Sequence, residues 1–142
     1  MNLLYERDFS LWIDQQVELL RARKFEQIDL ENIIEEIECM GGNLRRELRS
    51  RIENIIMHLL KCQYQPEHKS GSWLGTLREQ RSCIGELLED NPSLKRLVNG
   101  AVSKRYGTAV ARAADETGLE RKAFPAKCPY SADDVLDPDF VP

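Results

Sequence analysis

The sequence predicts an all-α fold: a compact bundle of about five helices with an irregular, proline-rich C-terminal strap. Apolar residues recur at spacings of three and four through most of the 142 residues, which is the period of an amphipathic helix. No segment alternates apolar and polar residues between turn signals, as a half-buried strand would. Four of the six prolines lie in the last 18 residues, and none interrupts an apolar helical stripe.

The first predicted helix begins after Asp8, a residue type whose side chain caps free amides of the first turn. Its apolar positions form one face, which we expect to lie in the core: Phe9, Trp12, Ile13, Val17 and Leu20. Cations at residues 21–24 follow, where the helix macrodipole favours them.

Asp29 is the predicted cap of a second helix. Its expected core stripe comprises Leu30, Ile33, Ile34, Ile37 and Met40. Gly41 and Gly42 then favour a break, because glycine is costly inside a helix. The apolar phase continues from Ile37 to Leu44, so a kinked continuous helix stays open. The third predicted helix covers about residues 43–63, with a core face of Leu44, Leu48, Ile52, Ile55, Ile56 and Leu59.

Two further helices and the strap complete the bundle. Ser70 or Ser72 caps the fourth helix, in which the inward residues are Trp73, Leu74, Leu77, Ile84, Leu87 and Leu88. Asn91 followed by Pro92 predicts the start of the fifth helix, and Gly118 predicts its end. The fifth core stripe is Leu94, Leu97, Val98, Ala101, Val102, Tyr106, Ala109, Val110 and Ala113. The strap, from about residue 119, is expected to be pinned by Phe124, Tyr130 and Phe140, with Ser131 and Asp134 capping a short turn that ends near Leu136.

Length and composition favour one helical domain over residues 1–142. Leu, Ile, Val and Phe supply 37 of the 142 residues, a share above the roughly 20% below which disorder is expected. No apolar run approaches the ~18–20 residues that cross a bilayer, and the N-terminal sequence has no signal-peptide pattern. The four cysteines include no CxxC pair. We therefore expect a cytoplasmic protein with reduced thiols and no membrane partner.

Charge is segregated along the chain. The net charge of −4 disfavours general nucleic-acid binding, because sequence-independent affinity comes from neutralising phosphates. Residues 25–38 hold six acidic side chains and no Lys or Arg, whereas residues 45–51 hold four Arg and one Glu. This pattern predicts one acidic and one basic surface region.

Many short phrases, in order along almost the whole chain, match one family. They are Glu35-Glu36-Ile37-Glu38-Cys39-Met40-Gly41, Arg46-Glu47-Leu48-Arg49-Ser50-Arg51, His58-Leu59-Leu60-Lys61, Gln65-Pro66, Ser72-Trp73, Gln80-Arg81, Pro92-Ser93-Leu94, Glu116-Thr117, Phe124-Pro125 and Cys128-Pro129-Tyr130. On these residues the chain resembles the bacterial family of domains of unknown function numbered twenty-nine. The resemblance implies a small all-α bacterial protein and carries over no catalytic residue. That family usually has a more polar residue where this chain has Gly42, a departure that favours the break between the second and third helices.

Polar residues beside the apolar stripes form a candidate layer inside the bundle. On a helical wheel Glu31, Glu35 and Glu38 flank the second stripe, whereas Gln80 and Arg81 fall within the apolar arc of the fourth helix. The candidate layer comprises Glu35, Glu38, Arg51, Asn54, His58, Gln80 and Arg81. The structural interpretation pairs Arg81 with Glu35 or Glu38, which would fix the packing of the bundle. The alternative is a small-ligand or metal pocket lined by Glu35, Glu38, His58 and Arg81.

Motifs for metal or catalytic chemistry are weak. Ferritin-like sites use Glu-x-x-His pairs, whereas this chain has Glu35-x-x-Glu38 with His58 alone on its helix. A zinc site from Cys62, His68 and two distant cysteines lacks the spacing of a ribbon or finger. The chain has no nucleophile elbow, glycine-rich phosphate loop or HExxH motif. We expect no metal and no cofactor, and an enzymatic role is disfavoured but stays open.

The sequence leaves three functions open. The leading hypothesis is a non-enzymatic protein–protein interaction module that binds another protein or a second copy of itself, since catalytic motifs are absent and charge is segregated. The second is a ligand-binding or metal-binding domain, or an enzyme, that uses the polar layer. The third, disfavoured by net acidity, is nucleic-acid binding through a basic surface of Arg45, Arg46 and Arg49.

Overall fold

Helices dominate the structure, a computed structural model that describes residues 3–142. They are α1 (Leu3–Arg7), α2 (Phe9–Arg21), α3 (Leu30–Tyr64), α4 (Gly71–Asp90), α5 (Val98–Thr117) and α6 (Ala132–Leu136). Short 3₁₀ turns lie at Phe25–Gln27, Pro66–His68, Pro92–Leu97 and Arg121–Ala123. No residue from 3 to 142 belongs to a β-strand. The predicted all-α class is confirmed. In the same described range, no helix combines the length and the hydropathy of a membrane span.

The chain packs as two units, residues 1–43 and residues 44–142. The first contains α1, α2 and the beginning of α3, and the second contains the remainder of α3 together with α4, α5 and α6. That residues 1–142 form a single domain stays a prediction.

In the first unit, the predicted start of α2 is confirmed. The Asp8 carboxylate accepts a hydrogen bond from the Leu11 amide at 3.0 Å, and the helix follows directly. Asp29 links α2 to the start of α3: the Trp12 Nε1 donates to its carboxylate at 3.0 Å, and its amide donates to Gln16 Oε1 at 2.7 Å. α1 was not predicted from the sequence; its Tyr5 packs its ring on Trp12 and donates its hydroxyl to Glu36.

The two apolar stripes predicted as core in this unit are largely exposed, and that prediction is wrong. On α2 only Trp12 of the predicted face is buried. Phe9, Ile13, Val17 and Leu20 are exposed, as are Leu30, Ile34, Ile37 and Met40 on α3. The physical reason is that each helix packs through only one side of its apolar arc, the side that holds Trp12 and the half-buried Ile33.

The break expected at Gly41 and Gly42 is also wrong, because α3 is one continuous helix of 35 residues. A glycine inside a helix costs about 1 kcal/mol relative to alanine. Once a helix is nucleated, each added residue contributes a hydrogen bond, so two glycines between long helical segments do not stop it. The apolar phase that runs from Ile37 to Leu44 was the correct indicator.

The core face predicted for the third helix lies in the core of the second unit, although Leu44 is only half-buried. Leu48, Ile52, Ile55, Ile56 and Leu59 are all fully buried. Every residue from 55 to 62 is buried, which is the pattern of a helix enclosed on all sides. The core also takes buried residues from α4, α5 and the strap.

The helix ends in this unit match the predictions in part. Ser70 caps α4 by accepting from the Trp73 amide at 3.4 Å, but Leu74, expected inside, is exposed. Gly118 ends α5 with a left-handed backbone at φ 76°, as predicted. Asn91 is the N-cap of a helical segment that begins at Pro92, as predicted, but Pro92–Leu97 is a 3₁₀ turn and the α-helix begins only at Val98. The Asn91 side-chain Nδ2 donates to the Leu87 carbonyl at 3.0 Å and so caps the end of α4.

The C-terminal strap is pinned by its aromatic residues. Phe124 and Tyr130 are buried, and Phe140 packs its ring edge-on against Tyr130. Ser131 and Asp134 form the predicted capping box, each side chain accepting from the other residue's amide at 3.0 Å. α6 follows this box, and the predicted short turn ending near Leu136 is confirmed.

Candidate functional site

The predicted polar layer is divided between the two units. Glu35 and Glu38 belong to the first unit and are exposed. The other five residues belong to the second unit: Arg51, Asn54 and His58 on α3, and Gln80 and Arg81 on α4. Among these, Arg51 and Gln80 come together, with the Arg51 Nη1 donating to the Gln80 Oε1 at 3.1 Å.

Arg81 has partners other than the predicted glutamates, so that pairing is wrong. Its Nε donates to the Val135 carbonyl at 2.9 Å, and its Nη2 donates to the Asp134 carbonyl at 3.0 Å. Both carbonyls belong to the last turn of α6, whose carbonyls have no partner within the helix. Burial lowers the pKa of Arg81, although the nearby Asp137 charge opposes part of that shift. Arg81 therefore holds the strap by capping α6 with a buried cation.

A polar cavity of about 300 Å³ lies where α3, α4 and α5 meet. Its lining residues are Glu47, Ser50, Arg51, Asn54, Gln80 and Arg112. Arg51 donates its Nε to Glu47 at 3.1 Å besides contacting Gln80. Arg112 donates to Glu53 at 3.0 Å and lies 3.5 Å from the Asn54 Oδ1. Side chains from three helices thus form two hydrogen-bonded groups beside one cavity, one joining α3 to α4 and the other joining α3 to α5.

Glu53 and Arg112, which join α3 to α5 in the second of these groups, were not predicted from the sequence. The Glu53 side chain is only 12% exposed and pairs with two cations, Arg112 at 3.0 Å and Arg105 at 3.7 Å. Two signals could have found them: Glu53 borders the core stripe of α3, and Arg105 and Arg112 lie seven residues apart on one face of α5. Within the described residues, every buried side-chain nitrogen or oxygen has a hydrogen-bond partner.

His58 is buried at the edge of the core. Its Nδ1 donates to the Asn54 carbonyl at 2.9 Å, because a carbonyl can only accept. Burial lowers the pKa of His58 below its ordinary 6.5, and this hydrogen bond opposes part of the shift. The imidazole is therefore neutral at neutral pH.

The other candidate ligands and nucleophiles are dispersed. All four cysteines are free, and burial raises the pKa of the Cys62 and Cys128 thiols. This shift disfavours the reactive thiolate at neutral pH. Across residues 3–142, no group of three or more His, Cys, Asp or Glu side chains is placed to hold a metal ion.

Replacing His58 with glutamine should make the free energy of unfolding depend less on pH below pH 6.5. The unfolded chain binds a proton near pH 6.5, whereas the folded protein binds it only at lower pH. Stability is therefore lost as the pH falls below 6.5, and it is recovered as the pH rises back through that value. Urea titrations at several pH values across this range measure the slope of the free energy of unfolding against pH, with His68→Gln as the exposed control. Equal slopes in wild type and His58→Gln would contradict the prediction.

The predicted basic surface lies on α3 at the start of the second unit. Arg45 and Arg46 are exposed and Arg49 is half-buried. Arg45 and Arg49 line a cavity, and Arg46 is not among the residues that line it.

Exposed apolar residues concentrate in the first unit. Of 13 large hydrophobic residues exposed in the described chain, 11 belong to this unit: Leu3, Phe9, Leu11, Ile13, Val17, Leu20, Phe25, Leu30, Ile34, Ile37 and Met40. Seven of them form two helical stripes, Phe9, Ile13, Val17 and Leu20 on α2 and Leu30, Ile34 and Ile37 on α3. These seven residues are named the N-terminal apolar face.

Both stripes lie on the same side of the unit. The contacts of Trp12 with Asp29 and of Tyr5 with Glu36 show that α1 and α2 run opposite to α3. On α2 and on α3, the exposed stripe is rotated about the helix axis by roughly a quarter of a turn from the side that packs. The rotation has the same direction on both helices when each is viewed from its own N-terminus. Because the helices are antiparallel, this displacement brings the two stripes to one side.

An acidic edge borders this face. Glu31, Glu35 and Glu38 are exposed and follow the α3 stripe on the side away from its packed residues. Residues 1–43 carry ten Asp or Glu against four Lys or Arg, which gives a net charge of −6. The predicted acidic region is therefore placed beside an uncovered apolar surface.

The fold and these surfaces define the class: an all-α protein with a polar cavity in one unit and an acidic-edged apolar face in the other. The chain matches the family described as Domain of unknown function DUF29 over residues 4–141, and it belongs to that family. The resemblance noted in the sequence is thereby confirmed. No curated protein and no solved structure shows significant similarity to it.

Proposed function

We propose that this protein is a non-enzymatic interaction module whose first unit binds a basic amphipathic helix of another protein. The observation that carries the proposal is the N-terminal apolar face with its acidic edge. Surface hydrophobic residues scattered singly need no explanation, but contiguous apolar surface rimmed by polar residues is typical of protein–protein sites.

The apolar stripes supply the affinity. Leu30, Ile34 and Ile37 are 56%, 46% and 57% exposed, and their spacing of four and three residues presents a continuous row. A partner helix laid against two such rows would use the helix-in-groove mode, in which residues at i, i+3, i+4 and i+7 act as anchors. Burying apolar surface contributes about 25 cal/mol for each Å² removed from water.

Charge selects the partner. Glu31, Glu35 and Glu38 stand in one row beside the stripe, and a helix with Lys or Arg along one edge of its apolar face complements them. A second copy that docked through the same face would bring two units of net charge −6 together. Electrostatic complementarity therefore favours a basic partner over self-association.

A designed peptide tests this proposal directly. The probe is a labelled amphipathic helix with leucines at three- and four-residue spacings flanked by lysines, and the control peptide has glutamates in place of the lysines. Fluorescence anisotropy should show the lysine peptide binding at least about tenfold more tightly, with an affinity that falls as salt is added.

Matched variants distinguish binding at the N-terminal apolar face from nonspecific hydrophobic association. Ile34→Ser with Ile37→Ser should weaken binding at least about tenfold, whereas Leu74→Ser, an exposed leucine of the second unit, should not. The pair Glu31→Gln and Glu38→Gln should weaken binding more than the pair Glu86→Gln and Glu89→Gln on α4. Equal effects of target and control variants would refute the proposal. A dimer in light scattering that Ile34→Ser with Ile37→Ser dissociates, and that excludes the peptide, would instead assign the face to a second copy.

A further inference from the structure

A second surface of the protein has the opposite charge. A cavity of about 180 Å³ lies in the second unit where α3 meets α5 and the 3₁₀ turn before it. Four cations line it, Arg45 and Arg49 from α3, Arg96 from the turn and Lys104 from α5, and no acidic residue does. This cavity contains none of the residues of the N-terminal apolar face.

The cations of this cavity are not neutralised by the protein. The side chains of Arg45, Arg49 and Lys104 make no hydrogen bond or ion pair with any residue from 3 to 142, and the Arg96 side chain donates only to the Ser93 carbonyl at 3.1 Å. Arg105 and Arg112, on the same helix as Lys104, are paired with Glu53. Like charges on adjacent helical turns repel one another, so an anion between them would lower the electrostatic energy.

The floor of the cavity is apolar. Leu48 is fully buried and Ala101 is nearly so, and Leu97 packs against the same core. Gly100 leaves the floor open, because a Cβ placed there would meet no atom within 4 Å. A ligand that fits has a compact anionic group at the cationic rim and a small apolar part on the floor.

We propose that this cavity binds a small organic phosphate. Guanidinium groups match phosphate oxygens with paired donors, and arginine is the side chain that recognises phosphate in this way. Four cations exceed what a single carboxylate would neutralise and suit a phosphate dianion. The volume is below the roughly 300–1,000 Å³ of sites for drug-sized ligands, which limits the apolar part to about one ring.

Three probes measure the two halves of the site separately. Isothermal titration of the purified full chain at low salt uses phenyl phosphate, inorganic phosphate and phenol. Phenyl phosphate should bind at least about tenfold more tightly than inorganic phosphate, because burial of its ring adds to phosphate binding. Phenol should show no measurable binding. Equal affinity for the two phosphates would overturn the apolar half of the proposal.

Two pairs of matched variants locate the binding. Gly100→Leu should fill the cavity and abolish phenyl phosphate binding, whereas Gly107→Leu, at an equally open glycine of α5, should not. Both replacements favour the helix, so folding is retained. Arg45→Gln should weaken binding about tenfold through loss of a charged hydrogen bond. Its neighbour Arg46→Gln removes the same charge outside the cavity and should change binding less than about twofold. Retained binding in Gly100→Leu, or equal loss in the two arginine variants, would refute the site.

Nucleic acids also carry phosphate groups, and an additional binding measurement distinguishes a nucleic acid from a small organic phosphate as the ligand. A short single-stranded DNA should bind more weakly than phenyl phosphate, because a strand without a terminal phosphate offers only diesters of charge −1. DNA binding that exceeds phenyl phosphate binding and survives Gly100→Leu would overturn the proposal and assign Arg45, Arg46 and Arg49 to a nucleic-acid surface.

Discussion

Replacing Arg81 with methionine should lower the free energy of unfolding by about 3 kcal/mol, because it leaves one buried and one partly buried carbonyl without donors. Those carbonyls, of Asp134 and Val135, belong to the last turn of α6 and accept from Arg81 at 3.0 and 2.9 Å. Methionine keeps much of the side-chain volume but supplies neither donor nor charge. Urea denaturation measures the loss, and tryptic cleavage at Lys127 should accelerate because the strap loses its anchor.

Arg78→Met is the matched control for this prediction. Arg78 lies three residues earlier on α4 and is exposed, so its replacement should change stability by less than about 0.5 kcal/mol. Arg81→Lys should fall between the two variants, since one ammonium group replaces a planar fork of donors. If Arg78→Met and Arg81→Met were equally stable, capping of α6 by Arg81 would not contribute to the fold.

Two isoleucines on α3 should respond very differently to the same change. Ile56 is fully buried and Ile34 is 46% exposed. Ile56→Ala should cost about 2–5 kcal/mol, because it removes buried methyl groups and leaves a cavity. Ile34→Ala should cost less than about 0.5 kcal/mol, since the side chain is already in contact with water and alanine favours the helix.

Denaturation followed by far-UV circular dichroism compares the two isoleucine variants under identical conditions. Each variant is the other's control, because residue type, helix and replacement are the same. A large, concentration-dependent loss in Ile34→Ala would show that a second copy covers the N-terminal apolar face. That result would contradict the proposed basic partner, whereas a large loss independent of concentration would contradict the exposure of Ile34.

Part of the candidate site could be predicted from the sequence. Polar groups near an apolar stripe need partners when they are buried, which indicates Arg51, Asn54, His58, Gln80 and Arg81 as candidates. Of these, Arg51 and Gln80 do form a hydrogen-bonded pair. The identity of most partners was not predictable. Arg112 meets Glu53 across 59 residues of chain, and Arg81 meets Val135 across 54. Such contacts depend on the rotation and depth of each helix in the packed unit.

The sequence by itself determined the all-α class, the cap of α2 at Asp8, the end of α5 at Gly118 and the capping box of α6. These features depend on interactions within about four residues, which spacing and residue type specify. Only the tertiary structure decided which apolar stripes are covered. Ile34 and Ile56 follow the same periodicity on one helix. The spacing of apolar residues identifies a helix face that is suited to burial, but it does not show that another element covers that face. Burial requires another element to pack there, and the described structure places one over Ile56 and leaves Ile34 in water.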